Sequence, residues 1–335
     1  GLVHQRVADV AFLGALITNI GREHDEFHPN FDHYYGAKAK LFQYLDAGGF
    51  GLANADSPWC RVVAACCAAP VFSYGLAGHA DIHVEAGSGI LHLSDRFRDR
   101  FGPASSGELP RLQLQVHGRH NLSNACGAAA LAMAMGATAG AVGHALNSFP
   151  GLPGRGQTLM HKPVEIFHDV FERPALQTAI PRLAANPTGA PCVVIIAPRA
   201  NRTPAEYEST TREFLRLARH HHLPVKSVIL SRGRHSRTGE FSMSAASWQQ
   251  LRDSFKRSGC SPIPTDTLAE SLDIAIARLR RGHRLLVFGE RVPDNPMEMI
   301  QAELEKSNPS WYDPTSWSAS ATTSAHLRRA LMRCP

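Results

Sequence analysis

The densest run of side chains able to do chemistry is Asn19-Ile-Gly-Arg-Glu-His-Asp-Glu-Phe-His28. Within it Glu23, His24, Asp25, Glu26 and His28 can each ligate a cation or carry a proton. His24 beside carboxylates is a candidate ligand for a divalent cation; a solvated polar loop is the alternative reading. Lys38 follows fourteen residues later in Tyr34-Tyr-Gly-Ala-Lys-Ala-Lys-Leu-Phe42. A helix lysine is ordinarily solvated, as Lys40 is expected to be. Asn121 and Asn124 are three apart at the start of an Ala-rich segment, a spacing that turns both amides to one side of a helix. They can share one ligand or cap the helix.

These residues need elements to hold them. Val7 to Ile20 is apolar and β-rich enough for a buried strand, which puts the His24 loop at a strand's carboxyl end, where α/β sheets place their sites. Asp32 to Leu45 has helical spacing, Phe50 to Ala53 reads as a strand, and Ser57-Pro58 opens a helix. Alternating runs at Ala80–Val84, Ile90–Leu93 and Leu112–Val116 suggest an antiparallel β insertion. Asn121–Met135 and Ala139–Phe149 read as helices. Phe149-Pro-Gly-Leu-Pro-Gly-Arg-Gly156 then concentrates Pro and Gly as nowhere else, which marks a domain boundary. Beyond it strands (Val164–Val170, Cys192–Ala197, Val225–Leu230, Arg284–Phe288) alternate with helices, the signature of a parallel, doubly wound sheet. The expected organisation is residues 1–152, 153–306 and a loosely attached tail, 307–335.

Composition narrows the class. The 335 residues are 44% apolar and 19% charged, with no apolar run near the roughly 20 residues of a membrane span, so a membrane protein and a disordered chain are both disfavoured. Seven cysteines, an odd number that includes the pair Cys66-Cys67, suit reduced thiols in a cytoplasm, and no Cys-x-x-Cys spacing offers zinc. The net charge of +6 hides an asymmetry: residues 1–152 hold 10 basic and 12 acidic side chains, residues 153–335 hold 25 and 17. The basic residues are spread over several elements with few aromatics between them, which argues for solvated surface rather than a nucleic-acid partner.

The motifs resemble the Mur ligase family, in particular its UDP-N-acetylmuramoyl-tripeptide synthetase branch. Thr18, Asn19, Arg22, Glu23, His24, Phe27, His28 and Lys38 fit that branch's loop and its Tyr-x-x-Ala-Lys helix, with Asp25-Glu26 in place of the usual apolar-Asp order. Gly1-Leu-Val-His-Gln-Arg-Val7, Asn54-Ala-Asp-Ser-Pro58, Gly118-Arg-His-Asn-Leu-Ser-Asn124 and Pro153-Gly-Arg155 follow the family's order. The resemblance implies an α/β fold: part of a central ATPase domain, a mixed sheet with helices, followed by a Rossmann-like doubly wound C-terminal domain. It implies an ATP-dependent ligase that phosphorylates a carboxylate and lets an amine displace the phosphate, with ATP and Mg2+ as cofactors. The substrates would be a UDP-sugar-peptide-like carboxylate and an amino acid or amine, in cytoplasmic peptidoglycan synthesis. No nucleic acid or membrane partner is expected, and a monomer is.

By the same resemblance His24 ligates magnesium and Lys38, carbamylated by carbon dioxide, supplies an anionic oxygen to it. That reaction requires a neutral amine, favoured by burial or by neighbouring cations. Asn121 and Asn124 contact adenine, Arg155 approaches the phosphates, Asp169 binds the ribose, and Arg6 contacts the UDP-sugar substrate. The chain also departs from the pattern. Glu172 stands where the family has His, and Ser231-Arg-Gly-Arg-His-Ser-Arg237 stands where the diaminopimelate-adding branch has Asp-Asn-Pro-Arg. Arg232, Arg234, His235 and Arg237 could meet an acidic acceptor or simply be solvated. The family's Gly-Thr-x-Gly-Lys-Thr phosphate loop is not among the 335 residues, which leads to the expectation of a truncated chain without ligase activity by itself. A folylpolyglutamate- or cyanophycin-type ligase, or a non-catalytic homologue that binds nucleotide or a partner, are the alternatives.

Overall fold

Strand β1 (Phe12–Ile17) is followed by helix α1 (Phe31–Gln43), strand β2 (Leu45–Asn54), helix α2 (Pro58–Ala65), and strands β3 (Val71–Gly75), β4 (Ile82–Val84) and β5 (Leu91–Leu93). Helices α3 (Asp95–Phe101), α4 (Arg119–Ala134) and α5 (Ala139–Ser148) complete the first of two compact units, Gly1–Pro150 and Gly151–Pro335. The structure, a computed structural model, describes residues 2, 7, 9–20, 30–102, 109–152, 154–161, 164–185, 189–198, 203–232, 243–289, 296–310 and 312.

The first unit's sheet runs in sequence order, β1-β2-β3-β4-β5, with β1 to β4 parallel and β5 antiparallel to β4. Apolar side chains leave both of its faces. Tyr34, Phe42, Cys60 and Val63 of α1 and α2 pack with Ala15, Ile17 and Ala53 on one side. On the other, Ala125, Ala129, Ala130 and Met133 of α4 cover Phe50, Leu52, Tyr74 and Ile82. The small residues of α4 permit close approach: a Cβ on Gly127 would lie 2.7 Å from the Tyr74 ring.

Two expectations for this unit change. β3 was not anticipated, and β4 joins the parallel sheet beside it, so only the β4–β5 pair is antiparallel. Leu112–Val116 is not a strand: an antiparallel bridge between Ile90 and Arg111, with Leu112 N donating to Gly89 O at 2.8 Å, begins the pairing, and a side chain takes over from there. Asn147 of α5 accepts from Gln113 N at 2.7 Å and donates to Arg111 O at 3.0 Å, taking backbone groups that a strand partner would use.

The second unit contains β6 (Gln157–His161), β7 (Val164–Asp169), β8 (Cys192–Ala197), β9 (Val225–Ser231), β10 (Ile263–Thr265) and β11 (Arg284–Gly289), in the order β10-β9-β8-β11-β7-β6. All pairs are parallel except edge strand β6 with β7. Helices α6 (Arg173–Ala184), α7 (Pro204–His220) and α8 (Ala245–Arg257) cover one face; α9 (Leu268–Arg278) and α10 (Pro296–Ser307) cover the other. Burial on both faces explains why β8 reads Cys-Val-Val-Ile-Ile-Ala without alternation: Cys192, Val194 and Ile196 face one helical layer, Val193 and Ile195 the other. Capping boxes at Thr203/Glu206 and Thr267/Glu270 start α7 and α9. Among the described residues, no helix is long and apolar enough to cross a membrane.

Candidate functional site

The carboxyl edge of the first sheet is tied together by side chains from three segments distant in sequence. Asn54, buried at the end of β2, donates to Thr18 O at 2.8 Å and to Ser123 Oγ of α4 at 3.2 Å, and its Oδ1 accepts from Asp56 N at 2.9 Å. The buried Tyr74 hydroxyl donates to Ile17 O at 3.0 Å. The Asp56 carboxylate accepts from the backbone of Leu76 and Ala77 at 2.8 and 3.1 Å, in space that a side chain on Gly75 would occupy. Buried polar groups satisfied in this way fix where β1 ends. Ser123 and Tyr74 escaped sequence reasoning as supports; their partners are 69 and 57 residues away.

Lys38 lies on α1, half-buried, with its Nζ 5.3 Å from the centroid of the Tyr34 ring. Lys40 is exposed, as expected of a solvated lysine. Asn30 caps α1, accepting from His33 N at 2.8 Å, and Tyr35 stacks on Trp59 at 5.5 Å, which joins α1 to α2. Asn121 donates to His117 O at 2.7 Å, so part of its amide serves the start of α4, while Asn124 is exposed one turn on. His24 and Arg6 lie outside the described residues. Among the described residues, no group of three His, Cys, Asp or Glu side chains could hold a metal ion. A lysine ammonium has no lone pair to offer a metal; a carbamate on Lys38 would supply an oxygen ligand of the kind a hard cation prefers.

In the second unit the candidate residue Asp169 ends β7. Asp169 is 8% exposed, and burial pushes its carboxyl up from 3.8 to about 6 despite the backbone N–H groups of Val170 and Gly156 and the charges of Arg155 and Arg182. Its Oδ1 accepts from Val170 N at 2.8 Å. Gly154 and Gly156 have φ of +73° and +67°, a conformation that suits glycine, and they flank the exposed Arg155. An added Cβ on Gly156 would sit 3.7 Å from Asp169 Oδ2, an ordinary contact, so it is the positive φ rather than crowding that favours glycine here. A buried carboxylate with free acceptor capacity can take further N–H or O–H donors. The ribose of a nucleotide fits that donor set.

His168, the preceding residue, was missed. It is 1% exposed, neither ring nitrogen has a hydrogen-bond partner, and burial holds its imidazole down at about 4. A Cβ on Gly154 would lie 2.8 Å from its Cε1, so the turn before Arg155 rests on this ring. The available signal was a polar residue inside the apolar run Ile166-Phe167-His168. Glu172 is the residue before α6, at its N-cap. Arg232 is committed to structure: Nε donates to Met243 O at 3.1 Å, and its backbone N donates to Thr265 O at 3.0 Å. Arg234, His235 and Arg237 lie outside the described residues.

A two-unit α/β chain with a parallel sheet in each and a glycine-bracketed arginine after the first unit has the architecture of a Mur-type ligase. Residues 1–132 match the Mur ligase middle domain. Over 154 residues the chain is 31% identical to UDP-N-acetylmuramoyl-L-alanyl-D-glutamate--2,6-diaminopimelate ligase of Syntrophomonas wolfei, covering 45% of this chain and 30% of that protein. Over 145 residues it is 36% identical to UDP-N-acetylmuramoylalanine--D-glutamate ligase of Myxococcus xanthus, covering 42% and 31%. It thus matches about a third of the length of these relatives. The fold is shared with a MurF ligase of Thermotoga maritima solved in complex with ADP (TM-score 0.60, 18% identity, 89% of this chain and 63% of that one). It is also shared with UDP-N-acetylmuramoylalanyl-D-glutamyl-2,6-diaminopimelate--D-alanyl-D-alanyl ligase of Acinetobacter baumannii (0.61, 19%, 88% and 58%). Residues 1–132 are thus similar to the middle domain of Mur ligases, and the fold of the chain is shared with solved Mur ligases.

Proposed function

We propose that this chain is the nucleotide- and acceptor-handling part of an ATP-dependent carboxylate–amine ligase. It would add an amino acid or amine to a UDP-N-acetylmuramoyl-peptide-like carboxylate in the cytoplasm. The observation that supports the reading is Asp169, a buried carboxylate at a strand end beside Gly154-Arg155-Gly156, which would accept from ribose hydroxyls. Arg155, exposed and always charged, would pair with phosphate oxygens. Asn121 and Asn124 would read the adenine edge, Arg6 the UDP-sugar, and His24 with carbamylated Lys38 the magnesium ion.

The reaction needs activation because a carboxylate has no leaving group. Transfer of the γ-phosphoryl group of ATP to a carboxylate oxygen gives an acyl phosphate and ADP. The amine then attacks the acyl carbon, the C–O bond to phosphate breaks, and the amine loses a proton as the amide forms. Magnesium, when bound, offsets the negative charge gathered between nucleotide and carboxylate.

Calorimetric titration of the whole chain with MgADP tests the nucleotide reading. Binding weakened at least tenfold by Asp169→Asn, and again by Asn121→Ala with Asn124→Ala, is expected. No heat up to millimolar nucleotide, or variants that bind as the parent does, would overturn it. For Lys38, a carbamate carbon-13 signal in labelled bicarbonate that disappears in Lys38→Ala is the matching check.

A further inference from the structure

The two glycines around Arg155 are held from opposite sides of the second sheet. Successive side chains of a strand leave opposite faces, so at the end of β7 His168 and Asp169 point away from each other, and the turn before β6 touches both. The His168 ring meets Gly154: a Cβ there would lie 2.8 Å from Cε1, 3.2 Å from Nδ1 and 3.8 Å from Nε2. On the other side, Gly156 N donates to the Asp169 carboxylate. Two further bonds close the turn. Gly154 N donates at 3.3 Å to Oε1 of Gln157, the residue that β6 places directly opposite His168, and Arg155 N donates to Leu152 O at 3.1 Å.

Of these ties, the His168 contact is the one made by shape. The ring is 1% exposed and neither nitrogen has a hydrogen-bond partner, so it offers Gly154 a packed surface rather than a bond. With φ at +73° and no room for a Cβ, position 154 suits only glycine while the ring is there. Removing the ring would leave a void beneath a residue that has no side chain to fill it, and the turn could sink into that space. Arg155 is exposed, and its charge reaches Asp169 and favours the carboxylate. A shift of the turn therefore changes the reach from Arg155 to Asp169.

We propose that His168 is a positioning residue for the nucleotide: its ring sets the 154–156 turn so that Arg155 reaches the phosphates while Asp169 holds the ribose of the same molecule. This role presupposes the nucleotide reading above; the ring touches no ligand and acts through Gly154.

Calorimetric titration of the whole chain with MgADP, run as a double-mutant cycle on His168→Ala and Arg155→Gln, tests it. His168→Ala alone should weaken binding about tenfold; in the Arg155→Gln background it should change binding less than about twofold, because the arginine it positions is gone. A ring that only stabilised the fold would give the same factor in both backgrounds. His168→Leu, which keeps most of the ring's volume, should bind within about threefold of the parent. Gly154→Ala, which displaces the turn without opening the core, should reproduce the loss and serves if His168→Ala does not fold. Amide hydrogen exchange in His168→Ala should speed about fivefold or more at Arg155 and Gly156 and stay unchanged in β8 and β11. Equal factors in the two backgrounds, a Leu variant as weak as the Ala variant, or unchanged exchange at Arg155 and Gly156 would each overturn the proposal and leave the nucleotide reading standing. A parent that takes up no MgADP would overturn that reading and this role with it.

Discussion

Replacing Asp169 by Asn should stabilise the protein at neutral and alkaline pH while weakening nucleotide binding. The carboxyl of Asp169 titrates at about 6 in the folded chain against 3.8 ordinarily. A raised carboxyl means that the native state holds its proton more tightly than the unfolded state does. Stability from this group is therefore greatest at low pH and is lost as pH rises from about 3.8 to about 6. At about 1.4 kcal/mol per pH unit, the two-unit gap removes about 3 kcal/mol at pH 8, about half of that at pH 5, and little at pH 4. The group is almost wholly buried, so solvent screening scarcely reduces this. Asn keeps the acceptor for Val170 N but brings an amide N–H₂ that needs partners, which returns about 1–2 kcal/mol. The expected net gain is about 1–2 kcal/mol at pH 8, fading to none or a small loss at pH 4. Urea unfolding of parent and variant at pH 4, 5 and 8, with the slope on denaturant checked for constancy, measures it. A variant whose gain is the same at pH 4 and pH 8, or is a loss at pH 8, refutes the reasoning.

His168 has the opposite sign. Its imidazole is lowered from 6.5 to about 4, so the stability it permits is complete above 6.5 and is lost as pH falls toward 4. His168→Leu should remove an acid-side loss of about 3 kcal/mol together with two unpartnered nitrogens, leaving the Asp169 slope alone, seen as a urea midpoint that falls as pH rises from 4 to 6. Because the slopes of neighbours 168 and 169 oppose each other, the parent should show less pH dependence in that range than either variant. Gly127→Ala should cost about 1–3 kcal/mol, since its methyl meets the buried Tyr74 ring at 2.7 Å. Tyr74→Phe, which loses only the bond to Ile17 O, should cost about 1 kcal/mol in the same thermal melts, and the reverse ranking would contradict the packing argument.

The strands buried on both faces were readable because each carries a continuous apolar run: β8, β9 and β11 are found within a residue of where the sequence puts them. The short and edge strands were not. β10 is only Ile-Pro-Thr, and β6 carries its partner on one side alone. Leu112–Val116 alternates well enough for a strand, yet Asn147 captures its backbone, an event that no local pattern announces. The site divides in the same way. Residue types in order placed Lys38, Asn121, Asn124, Arg155 and Asp169 as candidates, but only geometry shows that Asn121 also serves its own helix and that Asp169 is buried. The supports, Tyr74 and Ser123, act across dozens of residues, and His168 acts through a glycine that must lack a side chain for it.

The two sheets also differ in when they can be completed as the chain leaves the ribosome. In the first, each new strand lies beside the one made just before it, so the sheet can grow during synthesis. In the second, β7 and β8 are neighbours only through β11, which is made last and sits in the middle. Until Gly289 has emerged, β6–β7 and β8–β9–β10 are two open half-sheets whose facing edges are apolar and unpaired. Translation past β11 is therefore the event that ends this unit's exposure to aggregation; a pause before Arg284 would prolong that exposure, and a stop there would leave the sheet in two pieces.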